Sequence, residues 1–80
     1  MDNQPIINQL NLIFTDIIDE GDVELNLNYT ANDVEGWDSL NHVLILAAIE
    51  KHYGFKFTLF EVQSFKNVED LVQAIINKAA

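Results

Sequence analysis

The chain has 80 residues, 49% of them hydrophobic, no cysteine and a formal charge of −9. That length allows one domain over residues 1–80, with a modest core but able to fold alone. The missing cysteines exclude a disulfide framework and any thiolate metal site. No long uncharged apolar run could span a membrane, and Met1-Asp2-Asn3-Gln4 lacks the basic start of a secretory signal. The expected location is therefore cytoplasmic, in a reducing compartment. The charge is lopsided: residues 1–38 hold nine acids and no Lys or Arg, whereas residues 39–80 hold four acids and four lysines. Such a first half repels nucleic acid. It favours partners with basic patches, or simply keeps a small protein in solution.

Pro5 suits the first turn of a helix, where its missing N–H costs nothing. Ile6, Ile7, Leu10, Ile13, Phe14, Ile17 and Ile18 then recur at spacings of three and four, which predicts one apolar helical stripe ending before Gly21. Asp19, Glu20 and Asp22 crowd that end, where negative charge opposes the dipole, so fraying is expected there. Residues 21–38 keep no helical period. Leu25 and Leu27 alternate with Asn, and Asn28, Thr30, Asn32 and Asp33 are turn formers. The reading is a long ordered loop with one short helical turn around 31–34, pinned to the helices by Leu25, Leu27, Val34 and Trp37. A loop this long in so small a domain is usually functional.

The next helix is predicted over 39–53, opened by a strong N-cap residue, Asp38 or Ser39. It is apolar on two faces. Ile45, Leu46, Ile49 and Tyr53 form the stripe assigned to the core, and Leu40, Val43, Leu44 and Ala47 form a second. A helix in so small a domain cannot bury its whole circumference, so the second stripe is either a docking surface or is covered by the long loop. Phe55 and Phe57 alternate around Lys56 and plug the core. Thr58 and Glu61 make a capping box for a short helix to about Ser64. Asn67 caps a last helix with Glu69 and Asp70 in its first turn, Lys78 near its end, and Val68, Leu71, Val72, Ile75 and Ile76 facing the core. The fold class is all-α: a small four-helix bundle, three main helices and one short one, with a long loop between the first two.

Ser39 opens the central helix beside that loop, at a helix N-terminus where N–H groups and the dipole favour an anion. It has three readings: an N-cap, a catalytic nucleophile, or a site of covalent modification. Catalysis needs a base in reach and an orienting group. His42, one turn along, is the sole nearby candidate, and Trp37 and Leu40 do not fit the strained Gly-x-Ser-x-Gly elbow. A bundle this small also offers little pocket for an enzyme site, so the chain is not read as an enzyme.

Gly36-Trp37-Asp38-Ser39-Leu40 resembles the attachment motif of acyl carrier proteins. Val43, Ile45, Leu46, Ile49, Glu50 and Tyr53 fall where that family has its second helix, Gly54-Phe55-Lys56-Phe57 resembles the link that follows, and Val68-Glu69-Asp70-Leu71-Val72 resembles the start of the last helix. The resemblance covers about 30–76, and the length suits a free-standing carrier, a monomer. It implies that Ser39 carries 4′-phosphopantetheine, joined by a phosphopantetheinyl transferase from coenzyme A with a divalent metal. The arm's thiol then holds acyl groups as thioesters and passes them between acyl-transferring and condensing enzymes at high effective concentration. Asp38 is the family's motif acid, which helps the transferase dock or simply caps the helix. Leu40 and Val43 match apolar positions offered to partners, with Leu44, Ala47, Glu50 and Trp37 as further docking candidates.

The chain departs from typical fatty-acid carriers, which line the second and third helices with acids. Here Leu44, Ala47 and Lys51 lie beside Glu50, and the third helix has Glu61 alone. This suggests a specialised carrier for polyketide, lipid-modification or other secondary biosynthesis rather than the housekeeping fatty-acid carrier. The competing readings are a cofactor-free helical interaction domain and a peptidyl or aminoacyl carrier. No metal set is expected: His42 and His52 are too far apart on the helix, and the acids of 19–24 lack the EF-hand pattern.

Overall fold

The computed structural model describes residues 3–18 and 21–79, in which four helices follow one another: α1 (Gln4–Ile18), α2 (Ser39–Tyr53), α3 (Leu59–Ser64) and α4 (Val68–Ala79). Among the described residues there is no strand. The expected fraying at Asp19 and Glu20 lies outside them. Helix α1 packs on both α2 and α4, because its stripe is apolar where theirs are. Leu10 and Phe14 of α1, Ile45 and Ile49 of α2, and Val68, Leu71, Val72 and Ile75 of α4 are fully buried. Each such side chain contributes about 1.5–3 kcal/mol relative to exposure, and together they form the single core.

The segment from Gly21 to Asp38 is strapped down along its length. Thr15 and Asn11, one turn apart on α1, point polar groups at it: Oγ1 of Thr15 accepts the Val23 N–H at 2.9 Å, and Oδ1 of Asn11 accepts the Leu25 N–H at 2.7 Å. Further on, the carbonyls of Tyr29 and Leu27 accept the N–H groups of Val68 and Glu69, both at 2.9 Å. These are first-turn amides of α4, which a helix leaves without internal partners. Leu25, Val34 and Trp37 are buried as anchors and Leu27 half-buried. The helical turn expected at 31–34 is replaced by hydrogen-bonded turns. Asp33 accepts from both the N–H and the hydroxyl of Thr30 (2.9 and 3.2 Å) while its own N–H returns to the Thr30 carbonyl at 2.9 Å. That side-chain closure offers the backbone an alternative to helix.

The corner after α2 turns on Gly54, whose φ of 77° and ψ of 33° are left-handed, a conformation glycine enters without steric cost. Its N–H and that of Phe55 both reach the Glu50 carbonyl, at 2.8 and 3.3 Å. The Glu50 carboxylate accepts the Phe57 N–H at 2.7 Å. Phe55, Phe57 and Phe65 then stack edge to face, with centroids 5.0 and 5.3 Å apart. The capping box forms as expected, with Thr58 and Glu61 exchanging bonds of 2.8 and 3.1 Å. Helix α3 buries none of its own residues and is pinned to α4 by the Glu61–Lys78 ion pair at 2.9 Å. Asn67 caps α4 through the Asp70 N–H at 2.9 Å, and Asp70 accepts the Lys66 N–H in return at 3.0 Å.

Candidate functional site

The approach to α2 is a tight turn. Gly36 has φ of 87°, again the region that favours glycine, and its carbonyl accepts two donors, the Asp38 N–H at 3.0 Å and Asn41 Nδ2 at 2.7 Å. Asp38 follows in extended conformation and is the N-cap: its carboxylate accepts the Asn41 N–H at 2.9 Å and its carbonyl the His42 N–H at 2.8 Å. Of the two candidate caps, the aspartate takes the role. Ser39 becomes the first residue of the helix, exposed, and its hydroxyl makes no hydrogen bond among the described residues. The reading of Ser39 as the cap is thereby corrected: a carboxylate placed one residue earlier already holds the amide a cap would bind. The N–H groups of Ser39 and Leu40 likewise find no acceptor among the described residues.

Behind the serine, Trp37 locks the loop to α2. Its indole packs edge-on against Phe14 with centroids 5.0 Å apart, and its Nε1–H donates to His42 Nδ1 at 3.0 Å. An indole N–H only donates, so Nδ1 of His42 is the unprotonated nitrogen and the neutral ring carries its proton on Nε2. A histidine whose lone pair is occupied this way has none to offer the Ser39 hydroxyl. The Ser39–His42 pair is therefore not a nucleophile and base.

A surface pocket of about 420 Å³ opens beside Ser39, lined by Trp37, Asp38, His42, Phe65 and Lys66 as well. His42 and Phe65 meet edge to face with centroids 6.4 Å apart. The residues present fit a covalently held phosphate: an uncommitted hydroxyl, two unpartnered amides at the positive end of a helix, and a lysine at the same pocket.

Leu40, Val43 and Leu44 are 71%, 59% and 48% exposed and Ala47 is exposed too, so the loop does not cover the second stripe. Trp37 is 6% exposed. Its ring fills the space over Phe14, which makes it the core anchor of the loop, and what is left of its surface lines the pocket beside Ser39. Glu50 is half-buried with its carboxylate committed to the Phe57 amide. Leu59 and Phe60 of α3 are 73% and 79% exposed, an apolar pair that sequence reasoning missed. Phe60 is out of step with Val62 and Phe65, the half-buried apolar residues of that stretch, whereas Leu59 stands three residues before Val62 and its exposure carried no such signal. Asn41 was missed too, and nothing in its identity announces a bond to the Gly36 carbonyl. His52 lies at the far end of α2 against Tyr53, centroids 4.8 Å apart, and burial pushes the Tyr53 phenol above its ordinary value. No group of three metal-ligating side chains occurs among the described residues. Of the acids in 19–24, Asp19 and Glu20 lie outside them and Asp22 and Glu24 are exposed.

A family model described as a phosphopantetheine attachment site matches residues 13–75. No curated protein matches the chain. Among solved structures, the solution NMR structure of a holo acyl carrier protein from Geobacter metallireducens is similar, at 38% identity and a TM-score of 0.83, over 92% of this chain and 85% of that one. No helix among the described residues is long and apolar enough to cross a membrane. With the family match running from the middle of α1 into the last turns of α4, this chain belongs to the acyl carrier protein family, whose cofactor is covalently attached 4′-phosphopantetheine.

Proposed function

We propose that Ser39 Oγ is the attachment point of the arm, and that the chain carries acyl intermediates between the enzymes of a fatty acid, polyketide or related specialised pathway. The observation that carries this reading is the division of labour at the start of α2: Asp38 does the capping, which leaves the neighbouring Ser39 hydroxyl exposed and without a hydrogen-bond partner among the described residues. When bound, the arm supplies a thiol that holds acyl groups as thioesters. The protein's part is to present that serine rigidly. Asn41 and Asp38 fix the turn, the Trp37–His42 bond fixes the loop to the helix, and the bare strip of Leu40, Val43, Leu44 and Ala47 beside it offers partners an apolar landing surface. A phosphopantetheinyl transferase is the first partner expected there.

A specialised pathway is favoured by the chemistry of that strip. The one acid on α2 is Glu50, whose carboxylate is spent on the Phe57 amide, while Lys51 is exposed. Docking would then depend on apolar contact more than on charge. Incubation with coenzyme A, magnesium and a broad-specificity transferase tests the attachment: the intact mass rises by one phosphopantetheinyl group in the parent and does not change in Ser39→Ala. A folded parent that gains nothing overturns the reading. For the pathway, a generic fatty-acid ketosynthase is expected to use the loaded protein poorly compared with its own carrier, and equal use would remove the specialised reading.

A further inference from the structure

We propose that the pocket beside Ser39 is a docking site for the near end of the arm, with Lys66 paired to the phosphodiester anion and the Trp37–His42–Phe65 wall receiving the dimethyl carbon next to it. This rests on Ser39 being the attachment point. A phosphodiester placed on Ser39 sits beside the Asp38 carboxylate, in a chain whose first 38 residues contain no Lys or Arg. A cation must come from elsewhere, and Lys66 is the one lysine that lines the pocket with Ser39. It makes no ion pair among the described residues, whereas Lys78 is held by Glu61 at 2.9 Å. Lys51 and Lys56 line a separate groove at the other end of α2, about 20 Å away at 1.5 Å per residue. That is beyond the screening length of about 8 Å at physiological salt. The backbone of Lys66 is anchored by its N–H to Asp70 at 3.0 Å, so its stem starts from a fixed point.

The wall is fixed too. Phe65 is held edge-on between Phe57 and His42, with centroids 5.3 and 6.4 Å away. His42 is held by Trp37, a bond that leaves Nε2–H as its remaining donor. At about 420 Å³ the pocket falls in the range that takes small ligands, and it combines a cation and a donor with aromatic surface. The arm has the matching order of groups, an anion first and an apolar branched carbon next. Docked this way, the arm leaves the protein on the side of the α3–α4 link instead of swinging freely about Ser39, which limits the directions in which its thiol is presented.

The test uses the loaded, isotope-labelled protein and reads NMR contacts from the arm's methyl groups to the rings of Trp37 and Phe65, with the mobility of the arm's amides alongside. In the parent, contacts to both rings are expected and the first arm amide is ordered. Lys66→Gln loses those contacts and its arm amides become as mobile as a free chain, while Lys56→Gln, the same charge change at the far end of α2, keeps both. Absence of ring contacts in the loaded parent, or contacts that survive Lys66→Gln in full, overturns the proposal. The protein amide spectrum of each variant verifies the fold, Lys66 being exposed. The mass of the loaded sample separates the two levels. A sample that has gained the arm but shows no contacts refutes this site alone, whereas a folded parent that gains no arm refutes the attachment reading and this site with it.

Discussion

Asp38 gives the sharpest separation of shape from charge at the start of α2. Its carboxylate makes one capping bond, to the Asn41 N–H at 2.9 Å. Replacement by Ala removes that acceptor and is expected to cost about 1 kcal/mol, within the usual range for an N-cap. For a domain of this size that lowers the melting temperature by about 4–8 °C. Replacement by Asn keeps an acceptor oxygen of equal capping rank. It gives up a favourable charge at the helix N-terminus, worth about 0.3–1 kcal/mol, but removes one of the nine acids crowded into residues 1–38. These effects oppose, so Asp38→Asn should stay within about 0.5 kcal/mol of the parent. Urea unfolding followed by far-ultraviolet circular dichroism measures both variants, and hydrogen exchange at the Asn41 amide places the loss locally. The rest of the turn stays tied by Asn41 Nδ2 and the Trp37–His42 bond, so neither variant should unfold. An Asn variant as unstable as the Ala variant, or an Ala variant as stable as the parent, would refute the capping argument.

Phe14→Ala empties a fully buried ring site that also supports Trp37. The expected loss of about 3–5 kcal/mol is a large part of the roughly 4–12 kcal/mol available to a chain of this length, and a large drop in the urea midpoint would show it. Gly54→Ala should cost about 1 kcal/mol, from the left-handed φ of 77° alone, because an added Cβ meets nothing within 4 Å; equilibrium unfolding of that variant checks the figure. The Glu61 carboxyl is held below its ordinary value by the Thr58 N–H first and by Lys78 next. A lowered folded value means a contribution that is complete above the ordinary carboxylate range and fades as pH falls through the folded value. Urea midpoints across the acid range should therefore fall less steeply in Glu61→Gln than in the parent.

The helices were legible because their signals are local. The three-and-four stripe of α1, the Thr58–Glu61 box and the Asn67 cap each lie within a few residues, and each element forms where its signal placed it. On α2 the core stripe lies where it was expected, with Ile45, Leu46 and Ile49 inward; whether the loop covered Leu40, Val43 and Leu44 was open from the residues alone, and the fold leaves them outward. The loop was legible as a loop and less so in its fastening. Asn11 and Thr15 looked like ordinary polar positions on α1, and only the fold brings Val23 and Leu25 to them. The choice between Asp38 and Ser39 as cap was open because both residue types cap well, and it is decided by the extended backbone of Asp38. Trp37 looked as able to meet a partner as to fill a core until Phe14 was found beneath it. Lys66 carried no sequence signal at all, since 27 positions separate it from Ser39 and only the packing of the α3–α4 link against α2 places both at one pocket.

The most direct test of the central claim is to load the protein with coenzyme A, magnesium and a transferase, cleave it, and locate the added mass by fragmentation. One phosphopantetheinyl group is expected, on Ser39 and on no other hydroxyl. An arm found instead on Thr30, Thr58 or Ser64, or a folded protein that stays unmodified, would contradict the claim.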